Sequence, residues 1–358
     1  MYVYQGLSAV LPEALHSLQE VFMKIALDVM GGDYSPDSTM DGAFDALSKR
    51  PELELILLGP EDVIRSKMKD WDETKKNRIQ IVHCTEVIGM DESPVQAIRQ
   101  KKDSGIVRGA EMVAKGEADA FVSAGSTGAV LAAGQLKVGR IKGVQRAPLA
   151  TPIPTAKGIC LFMDCGANVD AKPEWLCQYA VMGTIYMKKV MGYQDPVVKL
   201  VNLGTEEEKG NALTKATHPM MQQISGIRYG GFVESRDVVY GETDIAVADA
   251  FTGNAIIKTI EGTAKVLTGM IKDVLKTNTL TKLAALAVMK PLKGRLKAFD
   301  ASEHGGAILL GLKGPVIKCH GNANRTEIMN AIFQAAGFVE GNVTGLIEEA
   351  ITANLEQA

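Results

Sequence analysis

The run Ala120 to Leu131, AFVSAGSTGAVL, places hydroxyls and glycines where an apolar strand would turn into a helix. The first turn of a helix leaves its amide donors without partners, so the backbone near Gly125 and Gly128 would point at any anion in front of it. Ser123, Ser126 and Thr127 add hydroxyl donors, and glycine permits the close backbone approach of such a cradle. The chemistry on offer is the holding of phosphate or of a developing oxyanion, although a small-residue turn also arises from packing alone.

Four other strand ends carry residues of the same kind. Asp28, Gly31, Gly32 and Asp33 close KIALDV; Asp164, Gly166 and Asn168 close GICLFM; and Asn202 and Thr205 close VVKLV, with Thr205 expected to cap a helix at Glu206–Glu208. Asp249, Thr252, Gly253 and Asn254 follow the strand at 244–247, and Lys258 comes one turn into the next helix. An Asp, a Thr hydroxyl and an Asn at one strand end, with a Lys one turn on, are more polar than packing calls for. Asp249, Asn254, Lys258 and His320 are therefore the candidate catalytic residues, able to orient phosphate or move a proton. Lys318 is a candidate charge partner for anionic oxygen, and the remaining residues named above are candidate substrate-binding positions.

The elements that must carry these residues alternate. Short apolar runs at 24–29, 53–58, 79–82, 120–122, 158–163, 197–201 and 244–247 are each followed by a helical stretch, most of them through a glycine-containing turn and the run at 79–82 through His83-Cys84. That alternation predicts an α/β protein with a parallel sheet, and open sheets of this kind bind ligands outside the carboxyl ends of their strands. All five polar strand ends are expected there together.

The 358 residues can bury a large core, and no repeat or low-complexity linker divides them. A net charge of −3 supplies no global basic field, which argues against a nucleic-acid partner. Five cysteines without a C-x-x-C pair argue against a disulfide framework or a zinc ribbon, and favour a reducing cytoplasm. No metal site is expected. There is no G-x-G-x-x-G, H-E-x-x-H or G-x-S-x-G motif, and His218 reads as a surface or loop residue. Residues 1–22 have neither a basic n-region nor a long apolar core, and MKIALDVMGGD at Met23 reads as a true beginning. The first 22 residues are expected to be an upstream start or an added extension, followed by one domain over 23–358.

Two stretches are basic. SPVQAIRQKKDSGIVR, at 93–108, carries Arg99, Lys101, Lys102 and Arg108 on an expected helix. The segment 264–298 carries eight Lys and Arg against Asp273, interleaved with leucines. Its composition fits a basic amphipathic helix pair at an anionic membrane surface, or a packing helix with a solvated edge.

Taken in order, DVMGGDYSP, KKDSGIV, SAGSTGA, DCGANVDAKPEWLCQYAVMG, VNLGTEEEKG, DAFTGNAIIKTIEG and EHGGAILLGLKGPVIKCHG resemble the bacterial phosphate acyltransferase family, from Met23 to about Ile351. The resemblance implies a three-layer α/β/α sandwich of the isocitrate and isopropylmalate dehydrogenase kind, largely parallel, with the basic amphipathic helices as an insertion. It implies a homodimer that moves a long-chain fatty acyl group from acyl carrier protein to orthophosphate. The acyl phosphate formed would serve a membrane acyl-phosphate:glycerol-3-phosphate acyltransferase in phospholipid synthesis. No cofactor is implied. The expected location is cytoplasmic, with peripheral attachment to the inner face of the cell membrane through 264–298. The chain departs from the family pattern at Ser126, where Asn is more usual, at Ala147-Pro148, where Arg-Pro is usual, and at His304, often Tyr. The rival readings are an NAD-dependent decarboxylating dehydrogenase of the same fold and a non-catalytic membrane-surface scaffold for lipid enzymes.

Overall fold

The strand sequences are nearly continuous runs of Ile, Leu, Val and Ala, the pattern of a sheet covered on both faces. In the computed structural model, which describes residues 23–297 and 301–356, eleven strands form one sheet. The expected extension at 1–22 and the end of the basic segment at Ala298 lie outside the described residues.

The strands are β1 (Met23–Asp28), β2 (Leu53–Gly59), β3 (Ile79–His83), β4 (Ala120–Ser123), β5 (Leu149–Thr155), β6 (Gly158–Met163), β7 (Val197–Val201), β8 (Arg228–Val233), β9 (Ile245–Val247), β10 (Ala307–Leu309) and β11 (Val316–Lys318). They lie in the order β3-β2-β1-β4-β11-β10-β5-β6-β9-β7-β8. Neighbours are parallel except at β10 and at the β5–β6 hairpin. The hairpin reverses the sheet, so β6, β9, β7 and β8 run opposite to β1 through β4 and β11.

This reversal corrects one expectation. The carboxyl ends of the strands form two groups pointing in opposite directions: those of β1, β4 and β11, and those of β6, β7 and β9. The segment responsible, LATPIPT, gives no strand signal because Pro152 and Pro154 lack a ladder donor. Both sit beyond the reach of β10, which pairs only with Leu149 and Ala150, so that edge of β5 is open where they fall.

Alternate strand residues build two layers. Leu27, Val122, Ile317, Ile308 and Ala150 enter one core with the helices Asp37–Lys49, Pro173–Lys189, Arg325–Glu340 and Val343–Glu356. On the opposite face, Ala26, Ile56, Phe121 and Val316 pack under the helices Pro94–Gln100, Gly105–Lys115 and Thr127–Ala133. Farther along that face, Ile153, Phe162 and Ala246 pack under Ile256, Ile257 and Ile260 of the long helix Ala250–Lys276.

The stretch 93–108 is not one helix. Ser104 accepts from the Val107 amide and starts a second helix at Gly105, so Lys101 and Lys102 lie in the break. Nor does Thr205 cap a helix. Asn202 Nδ2 donates to the carbonyls of Gly204 and Lys209, holding 202–209 as a loop, and the next helix starts at Ala212 under an Asn211 cap. His218 lies in that helix, bonded to the Tyr229 hydroxyl at 2.8 Å and stacked on Phe232, rather than loose on the surface.

Candidate active site

Register places three polar side chains in a row across adjacent strands. Ser123 pairs with Lys318, Asp28 lies beside Ser123, and all three point away from the first core. Asp28 is 4%, Ser123 0% and Lys318 6% exposed, so the row is buried at the ends of β1, β4 and β11. Ser123 Oγ donates to Asp28 Oδ2 at 2.7 Å and accepts from the Gly125 amide at 3.0 Å. Lys318 Nζ donates to the carbonyls of Ala124, at 3.4 Å, and Cys319. Burial pushes the Asp28 carboxyl up to about 6, against the Ser123 hydrogen bond and the nearby Lys318 charge. The Lys318 ammonium is pushed down by the same burial. Each charge makes the other affordable in this dry environment.

The glycine turns close over this row. A Cβ at Gly31 would come within 2.6 Å of both Asp28 Oδ2 and the Gly125 nitrogen, so only glycine lets the β1 turn lie against the β4 turn. Gly32 follows with φ +102°, and the exposed Asp33 donates its amide to the Gly321 carbonyl at 2.6 Å. Ser126 is buried at the cap position of the helix at Thr127 without capping it by its side chain. Thr127 is exposed, and Gly128 lies against Pro94.

His320 continues the β11 end. Its amide and Nδ1 both meet Glu327 Oε1, at 2.7 and 2.9 Å, and its Nε2 lies 3.5 Å from Glu261 Oε1. The carboxylates of Glu261 and Glu327 raise the ring to about 9, so it is an imidazolium at neutral pH. Glu261 is held down to about 2 by His320, with help from Lys258 at 2.8 Å. Neither glutamate ends a strand, so neither is among the candidates named from the sequence. Their signal was spacing: Glu261 is three residues from Lys258 on one helical face, and Glu327 sits in the first turn after the Asn324 cap.

The other predicted residues gather at the opposite group of strand ends. Asp164 is fully buried; its Oδ1 accepts from the Leu149, Gly166 and Ala167 amides, and its Oδ2 from Asn168. Burial still pushes its carboxyl up. Asp249 caps the long helix, accepting from the Thr252 amide and hydroxyl at 2.9 and 2.7 Å. Gly253 lies against the Asp164 carbonyl, and Asn254 is exposed. Asn202 also accepts from Thr214, while Thr205 is exposed on its loop.

Asp28, Gly31, Ser123, Gly125 and Lys318 are thus brought into contact, with His320 one residue beyond Cys319. Asp164, Asn168, Asn202, Thr205 and Asp249 are not in contact with them. The long helix joins the two groups: from Asp249 to Glu261, near its middle, it spans about 18 Å at 1.5 Å per residue, and Glu261 meets His320 there. Between this helix and Thr127–Ala133, the face of the sheet is left partly open at Ala307 and Thr151, continuing the row from Lys318. Among the described residues, no group of three or more His, Cys, Asp or Glu side chains is placed to hold a metal ion.

The fold is that of the phosphotransacetylases. The EutD phosphotransacetylase of Staphylococcus aureus superposes with a TM-score of 0.58 over 89% of this chain and 94% of its own, at 18% identity. A phosphotransacetylase from Streptococcus pyogenes gives 0.59 over 90% and 96%, also at 18%. The match of residues 23–346 to the model of the fatty acid synthesis protein family goes further. So does 44% identity over 329 residues to the phosphate acyltransferase of Thermoanaerobacterium thermosaccharolyticum, covering 92% of this chain and 97% of that one. The phosphate acyltransferase of Bacillus subtilis is 44% identical over 331 residues, covering 92% and 98%. The chain belongs to the phosphate acyltransferase family and is an acyltransferase, which sets aside the dehydrogenase and scaffold readings.

Proposed function

We propose that the protein transfers a long-chain fatty acyl group from the thioester of acyl carrier protein to orthophosphate, releasing acyl phosphate and the carrier thiol. The observation that carries this reading is the buried Asp28–Ser123–Lys318 row beneath the glycine turns, in a member of this family. A phosphate oxygen attacks the thioester carbonyl; the C–O bond forms, the C–S bond breaks, and the thiolate leaves. Lys318, the amides at 125–128 and the hydroxyls of Ser126 and Thr127 hold anionic oxygens, and such fixed donors stabilise the developing oxyanion without reorganising. His320, already an imidazolium, is close in acidity to the leaving thiol and gives it the proton. Lys258 keeps Glu261 against His320, and Asp249 shapes the helix start that presents Asn254 to the substrate. Phosphate is itself the nucleophile, so neither metal nor redox cofactor takes part.

The dehydrogenase-like sandwich, the homodimer, the cytoplasmic location and supply of acyl phosphate to a membrane acyl-phosphate:glycerol-3-phosphate acyltransferase belong to the same proposal. So does attachment to an anionic membrane surface. No helix among the described residues is long and apolar enough to cross a membrane. The helices Ala250–Lys276 and Thr279–Lys297 nevertheless expose Val266, Met270, Val274, Leu280, Leu283 and Leu286 beside lysines.

The decisive experiment measures free thiol released from palmitoyl carrier protein with and without orthophosphate. Release that depends on phosphate, with stoichiometric palmitoyl phosphate, is expected. Equal release without phosphate would make the protein a thioesterase and end the reading.

A further inference from the structure

The loop from Arg140 to Pro148 is fixed in place by side chains around it. The Ala147 carbonyl accepts from both Gln135 Nε2, at 3.3 Å, and Asn168 Nδ2, at 3.0 Å. The Gln145 amide donates to Gln178 Oε1, Gln178 Nε2 donates to the Gly143 carbonyl, and Trp175 Nε1 donates to Gln145 Oε1, each at 2.9 Å. Arg140 in turn donates to the Gln145 carbonyl at 2.6 Å. A surface loop without such ties would be mobile; this one holds its outward side chains in one arrangement.

Those side chains are cations. Arg140, Lys142, Arg146 and Lys172 are all exposed, and the Arg146 guanidinium and Lys172 ammonium lie 5.0 and 5.9 Å from the Trp175 ring centre. Many other exposed cations of this chain are paired with carboxylates, as Lys157 is with Glu242 and Arg325 with Asp45. Among the described residues Lys142, Arg146 and Lys172 have no ion pair, although Asp170 and Glu174 lie on the neighbouring segments. Exposed Leu136 and Val169 flank the patch, giving the mix of arginine, aromatic and aliphatic surface that protein interfaces concentrate.

The patch wraps the end of the sheet where β5 begins: Trp175 packs against the first core, while Ala147 of the loop packs on the opposite face, the one that carries the open strip. Inward from Leu149, at the foot of β5, the strip runs over Thr151 and Ala307, both small and partly exposed, to Lys318. Two strand spacings and two residues of rise put Leu149 about 12 Å from Lys318, a distance a thin prosthetic arm can bridge.

Resting on the function proposed above, we infer that the 140–148 loop with Lys172 and Trp175 is the docking surface for the acidic carrier protein that delivers the acyl thioester. The carrier sits on the cations at the end of the sheet, and its thioester arm passes the foot of β5 onto the opposite face, over Thr151 and Ala307, to reach the row at Ser123 and Lys318. Complementary charge would act mainly on encounter, and salt would screen it.

The test compares the full-length protein with K142E/R146E on two donors, palmitoyl carrier protein and palmitoyl pantetheine. Neither residue belongs to the reaction cluster, and unchanged melting confirms the fold. The expected result is at least a tenfold rise in KM for the carrier, a flatter salt dependence of kcat/KM, and an unchanged rate with the pantetheine thioester. A carrier KM within twofold of wild type overturns the inference, and so does an equal loss with both donors. The comparison variant R99E/K102E is expected to behave as wild type; a tenfold rise there instead puts the carrier on the other basic stretch and also overturns it. If the wild-type protein acylates phosphate from neither donor, the proposed function itself fails, a result distinct from all of these.

Discussion

Ser123 Oγ donates to Asp28 Oδ2 across 2.7 Å, tying β1 to β4 at the point where both chains leave the sheet. The carboxyl is raised to about 6 by burial, so the folded state holds the protonated form more readily than the unfolded chain does. The resulting penalty on folding is absent well below pH 3.8 and complete above about pH 6. Asp28→Asn should therefore gain stability relative to wild type as pH rises, by about 1 kcal/mol between pH 5 and pH 8. Urea midpoints at the two pH values check this, and a constant difference would show that Asp28 is not desolvated. Turnover of the variant should fall at least tenfold.

Lys318 is the buried cation at the end of β11. Lys318→Met keeps the length of the side chain and removes the charge facing Asp28. The KM for orthophosphate should rise tenfold or more, about 1.4 kcal/mol, with less effect on the KM for the acyl donor. Equal effects on the two substrates would detach Lys318 from phosphate.

His320 gives a pH signature. Its folded value of about 9 lies above the ordinary 6.5, so its pairing with Glu261 and Glu327 stabilises the fold below pH 6.5. That contribution is lost as pH rises through about 9. If the imidazolium protonates the leaving thiolate, kcat should have a basic limb near pH 9. Glu261→Gln should move that limb toward neutrality, and His320→Gln should abolish it. A limb that stays in place in Glu261→Gln would separate His320 from the proton transfer.

How far the sequence reveals this site follows from what each residue does. Ser123, Asp28 and Lys318 were legible because each is a polar residue ending an apolar run, a placement that local pattern exposes. Their contact was not, because it depends on β11 inserting beside β4 from nearly 200 residues away. The opposed directions of the two strand groups stayed hidden behind the prolines of β5. Asp249 reads from sequence as a candidate catalyst, yet its carboxylate is engaged in capping a helix, work that needs the same residue type at the same place. His320 was visible only as an isolated histidine, since its two carboxylates come from separate helices.

Gly253 tests the packing that anchors the long helix. A Cβ there would overlap the Asp164 carbonyl oxygen and press on the Phe162 ring, and neither can retreat because Asp164 is fixed by five donors. Overpacking of this kind costs about 1–3 kcal/mol. Gly253→Ala should lower the melting temperature by several degrees, whereas Gly262→Ala, in open space on the same helix, should not lower it at all.

The exposed end of that helix makes the last prediction. Val266, Leu267, Met270, Val274, Leu280, Leu283 and Leu286 are each more than half exposed, while Lys265, Lys272, Lys276 and Lys282 stand among them. Apolar surface left in water at this density is a cost unless something covers it, and the lysines select an anionic cover. Each is worth on the order of 1 kcal/mol at an anionic leaflet, so K272E/K276E/K282E should weaken binding to phosphatidylglycerol vesicles at least a hundredfold. Binding of wild type to neutral phosphatidylcholine vesicles should be weak and nearly unaffected by the change. Phosphate-dependent thiol release from a soluble donor should survive, because the three lysines lie more than two turns beyond Glu261. Equal sedimentation of wild type and variant with anionic vesicles would leave the apolar face to a protein partner and remove the membrane from the proposal.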